Sequence, residues 1–321
     1  MRPREHGRGA SQSCGAHRVT LITDLLAKKR CLSVELWPPR SERSAERLEE
    51  SLVSLEKLRP DFASITYGAG GSTRDRTHDL VVKLEEAGHM IPMAHLTCVA
   101  HTKDELTDIL VRYEKAHVMN VLALRGDKPL YADAPLPEGE LHHALELVKL
   151  AKSVAPFCVA VAAHPEGHPS ATDLPTDRGH LAEKLAIADF AITQFFFRVE
   201  DYFSLVEDLS SRGIKKPIVP GVMPITNVRT LEKMAELSGC AIPEPLVTRI
   251  RAVADDPIAV RSVGVEVATA LCAELLEGDI PGLHFYTMNQ VSATFEVCRN
   301  LGLASLESAE PGKGRRAGEE N

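Results

Sequence analysis

Several side chains able to do chemistry sit where short apolar runs of this sequence end. Glu35 closes SVELW ahead of Trp37-Pro38-Pro39, and Thr66 with Tyr67 closes FASITY ahead of GAGGST. His95 and Thr97 end IPMAHLT, Arg125-Gly126-Asp127 follows VLAL, and His164 and His168 flank a Pro-Glu-Gly turn. Gln194 lies in FAITQFF, and His284, Tyr286 and Asn289 cluster around GLHFYT. Glu35 in an apolar run could be a paired core charge, but an unpaired buried charge is costly, so it reads as a functional residue. Arg125 with Asp127 fits either a loop ion pair or a site. GAGGS at 68–72 could bring backbone close to a cofactor or could be a plain turn. His284 and Phe195-Phe196-Phe197 read as barrel wall and core.

Other chemistries find little support. His95, Cys98 and His101, or His164 with His168, have metal-like spacing, but strand-end and loop residues point in different directions, so no metal site is expected. No nucleophile elbow, Walker-type loop or strict GxGxxG occurs. A formal charge of −8 disfavours a nucleic-acid partner. Seven cysteines without a spacing framework suit a reducing compartment and no disulfides. With no secretory or membrane-spanning stretch, the expected location is the cytoplasm, with no membrane partner.

The elements that must position these residues repeat. Apolar runs at 33–37, 62–67, 91–97, 121–126, 157–163, 190–196, 217–223 and 282–287 are each followed by a segment of helical periodicity. In SAERLEESLVSLEKL, for instance, Leu48, Leu52, Leu55 and Leu58 form one apolar stripe. Ser72 or Thr73, and Thr102, are predicted N-caps. Eight strand–helix units predict an α/β fold, a single-domain (β/α)₈ barrel over 20–304, with about three extra helices between strands seven and eight. An open doubly wound sheet is the alternative. Residues 1–19 and 305–321 are predicted to be disordered basic and polar tails. In such a barrel the strand C-termini carry the site.

The segments VELWPP, PDFASITYGAGGSTRDRT, PMAHLTCVAH, NVLALRGDKP, HPEGHP, AITQFFF, PIVPGVMPITN and PGLHFYTMN, in this order between about Ser33 and Gly302, resemble the methylenetetrahydrofolate reductases. The resemblance implies FAD, with NADH or NADPH and a one-carbon folate taking turns at the flavin, and a place in one-carbon metabolism leading to methionine. It implies Glu35 as general acid, its apolar setting raising its pKa. It implies Asp127 and Gln194 as the carboxylate and amide at the pterin. Thr66, Tyr67, Ala69, His95, Arg125, Gly126 and Asp127, then Ala144, His164, His168, Asp177 and Lys184, fall at positions implied to contact flavin. Gln290 falls where an arginine commonly meets the folate tail.

Departures from the family pattern are His164 for an aromatic, Glu183 for a base, Met234 for an aromatic, and a glycine missing before strand six. All but Met234 concentrate on the groups that would hold the dinucleotide. Two alternatives therefore stand beside a flavin-dependent reductase: direct reduction of the folate by NAD(P)H, and a non-catalytic folate-binding relative. A homo-oligomer is compatible with the sequence.

Overall fold

Strand β1 (Cys31–Leu36) pairs in parallel with β2 (Phe62–Ile65), and the pairing continues in chain order through β3 (Ile91–Thr97), β4 (Asn120–Leu124), β5 (Cys158–Ala163), β6 (Phe190–Phe195) and β7 (Ile218–Val222). The last strand, β8 (Gly282–Tyr286), returns to β1 through Cys31↔Gly282 and Glu35↔Tyr286, closing the barrel. This computed structural model describes residues 19–67, 74–126 and 139–304. The closed sheet settles the choice between a barrel and an open doubly wound sheet.

Alternation along the strands sorts the side chains into two layers. Val34 and Leu36 of β1 face outward into the main core, where Leu48, Leu55 and Leu58 of α2 (Glu42–Leu58) meet them. Cys31, Phe62, Met93, Leu122, Phe190 and Val219 form a second apolar cluster at the lower level of the barrel. That cluster is completed by Ile22 of α1 (Ile22–Leu26), a five-residue helix that the sequence reading did not anticipate. Asn120 fixes it there, accepting from Ile22 N–H at 2.9 Å and donating to Thr20 C=O at 3.1 Å.

The outer helices are α3 (Arg74–Ala87), α4 (Lys103–Lys115), α5 (Ala144–Val154), α6 (Leu174–Leu185), α7 (Val199–Ser211) and α11 (Val291–Asn300). Thr102 caps α4 as its sequence predicts: its hydroxyl accepts from Glu105 N–H while the Glu105 carboxylate accepts from Thr102 N–H. Ser72 and Thr73 lie outside the described residues. Between β7 and β8 run α8 (Val228–Ser238), α9 (Glu244–Arg251) and α10 (Pro257–Glu277), the three helices expected there. They build a further apolar cluster holding Phe195, Met223 and Ile225, while Phe196 sits in the main core. The Phe195–Phe197 run thus has the wall-and-core placement its sequence suggests. Val19, the first described residue, packs partly buried against the core; the two predicted tails otherwise lie outside the described residues. Among the described residues no helix is long and apolar enough to cross a membrane.

Candidate active site

At the C-terminal end of β1, Glu35 is 9% exposed. One carboxyl oxygen, Oε1, accepts from Trp37 Nε1–H at 2.8 Å, and the other lies 3.9 Å from His95 Nε2. Burial pushes the Glu35 pKa up to about 7, against the opposing pull of the Trp37 hydrogen bond. A carboxyl at that value holds its proton for delivery near neutral pH, which an ordinary surface glutamate does not.

The exit of β8 holds the exit of β1. Thr287 Oγ1–H donates to Glu35 C=O at 2.7 Å, and the Asn289 carboxamide bonds both backbone groups of Trp37. Met288 and Asn289 both adopt positive φ, turning the chain back over the barrel mouth.

Below Glu35 the interior is polar but neutral. His284 meets Ser33 Oγ through Nδ1 at 2.9 Å and Ser64 Oγ through Nε2 at 3.4 Å, and its ring packs edge-on against Tyr286. Burial pushes the pKa values of His95 and His284 down to about 3, so both rings are uncharged near neutrality. Burial first, and the Glu35 charge second, raise the Tyr286 phenol well above its ordinary value; its O–H donates to Thr193 C=O at 2.6 Å. Gly221 makes room for this arrangement, since a Cβ there would lie 2.3 Å from Thr193 O and 2.6 Å from Tyr286 Cε2.

Thr193 leads directly to Gln194. The β6–β7 register shifts between Ile192 and Phe195, and within that irregularity Gln194 is half-buried, its Oε1 accepting from Phe195 N–H at 3.0 Å. Glu35, Tyr286, Thr193 and Gln194 therefore form a connected arc over the ends of β1, β8 and β6. Asp127, the third residue implied for the pterin, lies outside the described residues, as does Ala69.

A second feature adjoins this rim. Arg125, Ala144, His168, Asp177 and Lys184, five of the positions implied to meet flavin, line one open cleft of about 640 Å³, and Glu183 lines it too. Lys184 Nζ donates to Ala162 C=O at 3.3 Å, and no described carboxylate forms an ion pair with it. Burial lowers its pKa, with Asp177 acting in the opposite sense. His164 packs edge-on against His168 at 4.7 Å and is held down to about pKa 3, by burial and then by His168 and Lys184. Gly126 sits at φ +84, and a Cβ there would lie 2.8 Å from Thr97 Cβ.

Not every named position joins the two features. The Tyr67 hydroxyl lies 3.0 Å from His101 Nε2, and Tyr67 lines a different cleft, of about 270 Å³, with His78 and Arg112. Thr66 is half-buried beside it, its carbonyl accepting from Thr77 Oγ1–H. Gln290 is exposed at the N-terminus of α11, on the rim that carries Asn289, and Met234 is partly buried in the cluster under the added helices. Among the described residues no three His, Cys, Asp or Glu side chains are placed to hold a metal ion. Ser33, Ser64, Thr193 and Thr287 escaped the sequence reading. The alternation that puts Ser33 and Glu35 on one face of β1 was the available signal for Ser33.

Comparison with known proteins follows the same outline. A family model described as methylenetetrahydrofolate reductase matches residues 20–302. A 5,10-methylenetetrahydrofolate reductase of Escherichia coli K12 is 35% identical over 273 residues, covering 85% of this chain and 90% of the relative. The corresponding protein of Pectobacterium carotovorum is 34% identical over 273 residues, with the same coverages. Methylenetetrahydrofolate reductase (NADH) 1 of Arabidopsis thaliana is 34% identical over 284 residues, which are 84% of this chain and 48% of the plant protein. Among solved structures, a Clostridium thermocellum protein described as binding two copies of 5-methyl-5,6,7,8-tetrahydrofolic acid superposes with a TM-score of 0.58. It covers 88% of this chain and 96% of its own at 18% identity, a likeness of fold.

Proposed function

Because this chain belongs to the methylenetetrahydrofolate reductase family, we propose that it reduces 5,10-methylenetetrahydrofolate to 5-methyltetrahydrofolate with hydride that originates on NADH or NADPH. The observation that carries the proposal is Glu35, a sealed carboxyl with a pKa near 7 at the barrel mouth. Such a group passes its proton to the amine nitrogen on the leaving side of the methylene bridge. The carbon–nitrogen bond breaks, and the methylene carbon is left as an iminium on the other nitrogen. One hydride then completes the methyl group, so each turnover consumes one nicotinamide hydride and one proton.

Gln194, with its amide nitrogen free of any described partner, serves to orient the pterin, and Gln290 on the exposed rim serves the folate tail. Asp127 keeps the pterin role that the family resemblance assigns it. Trp37 and Asn289 hold the Glu35 carboxyl in one orientation, which keeps the reacting atoms in line.

The 640 Å³ cleft fits an anionic dinucleotide such as FAD in its donor set: Lys184 carries a half-buried charge without a described counter-ion, and Arg125 stands at the same cleft. When bound there, FAD supplies a carrier between nicotinamide and folate. Arg125, Ala144, His168, Asp177 and Lys184 would hold it, with Gly126 and the uncharged His95 and His164 toward the barrel, while for Thr66, Tyr67 and Ala69 a flavin role rests on the family resemblance alone.

The test is the purified protein supplied with methylenetetrahydrofolate and either nicotinamide, with the 5-methyl product measured chromatographically and the visible spectrum recorded. Glu35→Gln is expected to lower product formation by about 100-fold or more, the scale of general acid catalysis, while leaving NAD(P)H oxidation by an artificial acceptor intact. Absence of the methyl product in the parent protein overturns the proposal. A colourless protein that makes the product without added flavin overturns the role of FAD.

A further inference from the structure

Besides Trp37, which holds Oε1, three polar rings lie around Glu35 and His95 in the upper lumen: His95 itself and two committed elsewhere. Tyr286 gives its hydroxyl proton to Thr193, and His284 engages Ser33 and Ser64. The third, His95, is 6% exposed, and its Nε2 has no hydrogen-bond partner. Facing that nitrogen at 3.9 Å is Glu35 Oε2, while Oε1 is already held by Trp37. Buried polar atoms in folded proteins almost always find partners, so an orphaned ring nitrogen beside the reactive carboxyl calls for an explanation.

The explanation lies in the two states of the carboxyl. While Glu35 carries its proton, Oε2–H must be free to point at the substrate, and a second donor beside it finds no anionic acceptor. Once the proton has gone, Oε2 is a buried anion and needs a donor. We infer that His95 is a positioning residue for Glu35, donating Nε2–H to Oε2 when the carboxyl has given up its proton and thereby setting the strength of the acid. This inference rests on the reductase reading above and assigns His95 a task beyond contact with a flavin.

Burial keeps His95 uncharged, so its contribution is a hydrogen bond from a neutral ring to the carboxylate and not an ion pair. The other groups that sense this pair electrostatically are Tyr286, which feels Glu35, and His284, which feels His95, and both stay neutral. On β2 the neighbouring lumen residues are Ser64 and Thr66, which do not titrate, and Asp127 beyond the β4 exit lies outside the described residues.

The experiment compares the pH dependence of folate reduction in the parent protein, His95→Gln, His95→Leu and Glu35→Gln, with NAD(P)H oxidation by an artificial acceptor as the control. Glutamine keeps an N–H at the end of its side chain and leucine has none. The alkaline limb set by Glu35 is expected to move up by about one pH unit in His95→Leu, with a roughly tenfold lower rate, and to stay near the parent value in His95→Gln. Because His95 stands among the groups that would face the flavin, each folate rate is taken relative to the control rate of the same variant, so that a change in flavin loading cancels. If the leucine variant does not fold, His95→Asn, whose amide is too short to reach, carries the same expectation. An unmoved limb in the variants without a donor, equal shifts in all of them, or parallel loss of the control reaction overturns the inference. Folate turnover in Glu35→Gln equal to that of the parent sinks the reductase reading itself, which separates the two failures.

Discussion

The carboxamide of Asn289 bonds Trp37 in both directions, accepting from its N–H at 2.9 Å and donating to its C=O at 2.8 Å across 252 positions of sequence. Trp37 in turn donates its indole N–H to Glu35. The exit of the last strand therefore orients the acid on the first, and closure of the barrel is what makes the contact available.

Asn289→Ala removes both bonds and places alanine at φ +57. The cost is on the order of 2 kcal/mol from the two hydrogen bonds. A melting temperature lower by several degrees is expected, together with a roughly tenfold loss of folate turnover as Trp37 and Glu35 lose their orientation. Normal turnover in a variant of lowered melting temperature would show that Trp37 is held by its other contacts.

Trp37→Phe tests the electrostatics of the acid in isolation. The indole hydrogen bond pulls the Glu35 pKa down, so its removal raises a value already near 7. The alkaline limb of folate reduction should move upward by about one pH unit, the scale of a single hydrogen bond to a charged group. A downward shift in the pH–rate profile would contradict this assignment.

Stability should depend on pH in two opposing ways. Glu35 rises from an ordinary 4.5 to about 7 on folding, so its contribution is full below 4.5 and lost as pH rises through 7. That loss amounts to about 3 kcal/mol, and Glu35→Gln should gain on the parent as pH rises from about 4.5 to about 7, with no further gain above that. His95, His164 and His284 fall from 6.5 to about 3, so their contribution is full above 6.5 and lost as pH falls. Between 4.5 and 6.5 unfolding takes up three histidine protons and releases one from Glu35. The net uptake of two predicts a stability loss of roughly 3 kcal/mol per pH unit of acidification. Denaturant titrations of both proteins across this range check the two signs, and a flat profile for the parent would refute them.

The cleft that holds Lys184 also contains Glu183, exposed and of the wrong sign for a diphosphate. Glu183→Lys should tighten flavin binding severalfold, and Lys184→Met should weaken it by about tenfold or more, both read by fluorescence titration with FAD. Equal affinity in all three proteins would place the dinucleotide elsewhere.

The sequence by itself determined the repeating strand–helix order, the number of strands, the Thr102 cap, the three added helices and the polar strand ends. Each of these depends on neighbours a few residues apart, where periodicity and capping act. Although Trp37, expected to add to that rise, acts against it through its indole hydrogen bond, the raised pKa of Glu35 was legible in its apolar strand. The five-residue helix α1 was not, since a segment that short forms only when the barrel floor gives its Ile22 a place to be buried. Nor was the pairing of His95 with Glu35, the commitment of His284 to Ser33 and Ser64, or the turn of Tyr67 toward His101. Those depend on which strands become neighbours when the sheet closes and on the register shift at Gln194. Closure joins residues more than two hundred positions apart, and their encounter is a property of the whole barrel that no local pattern encodes.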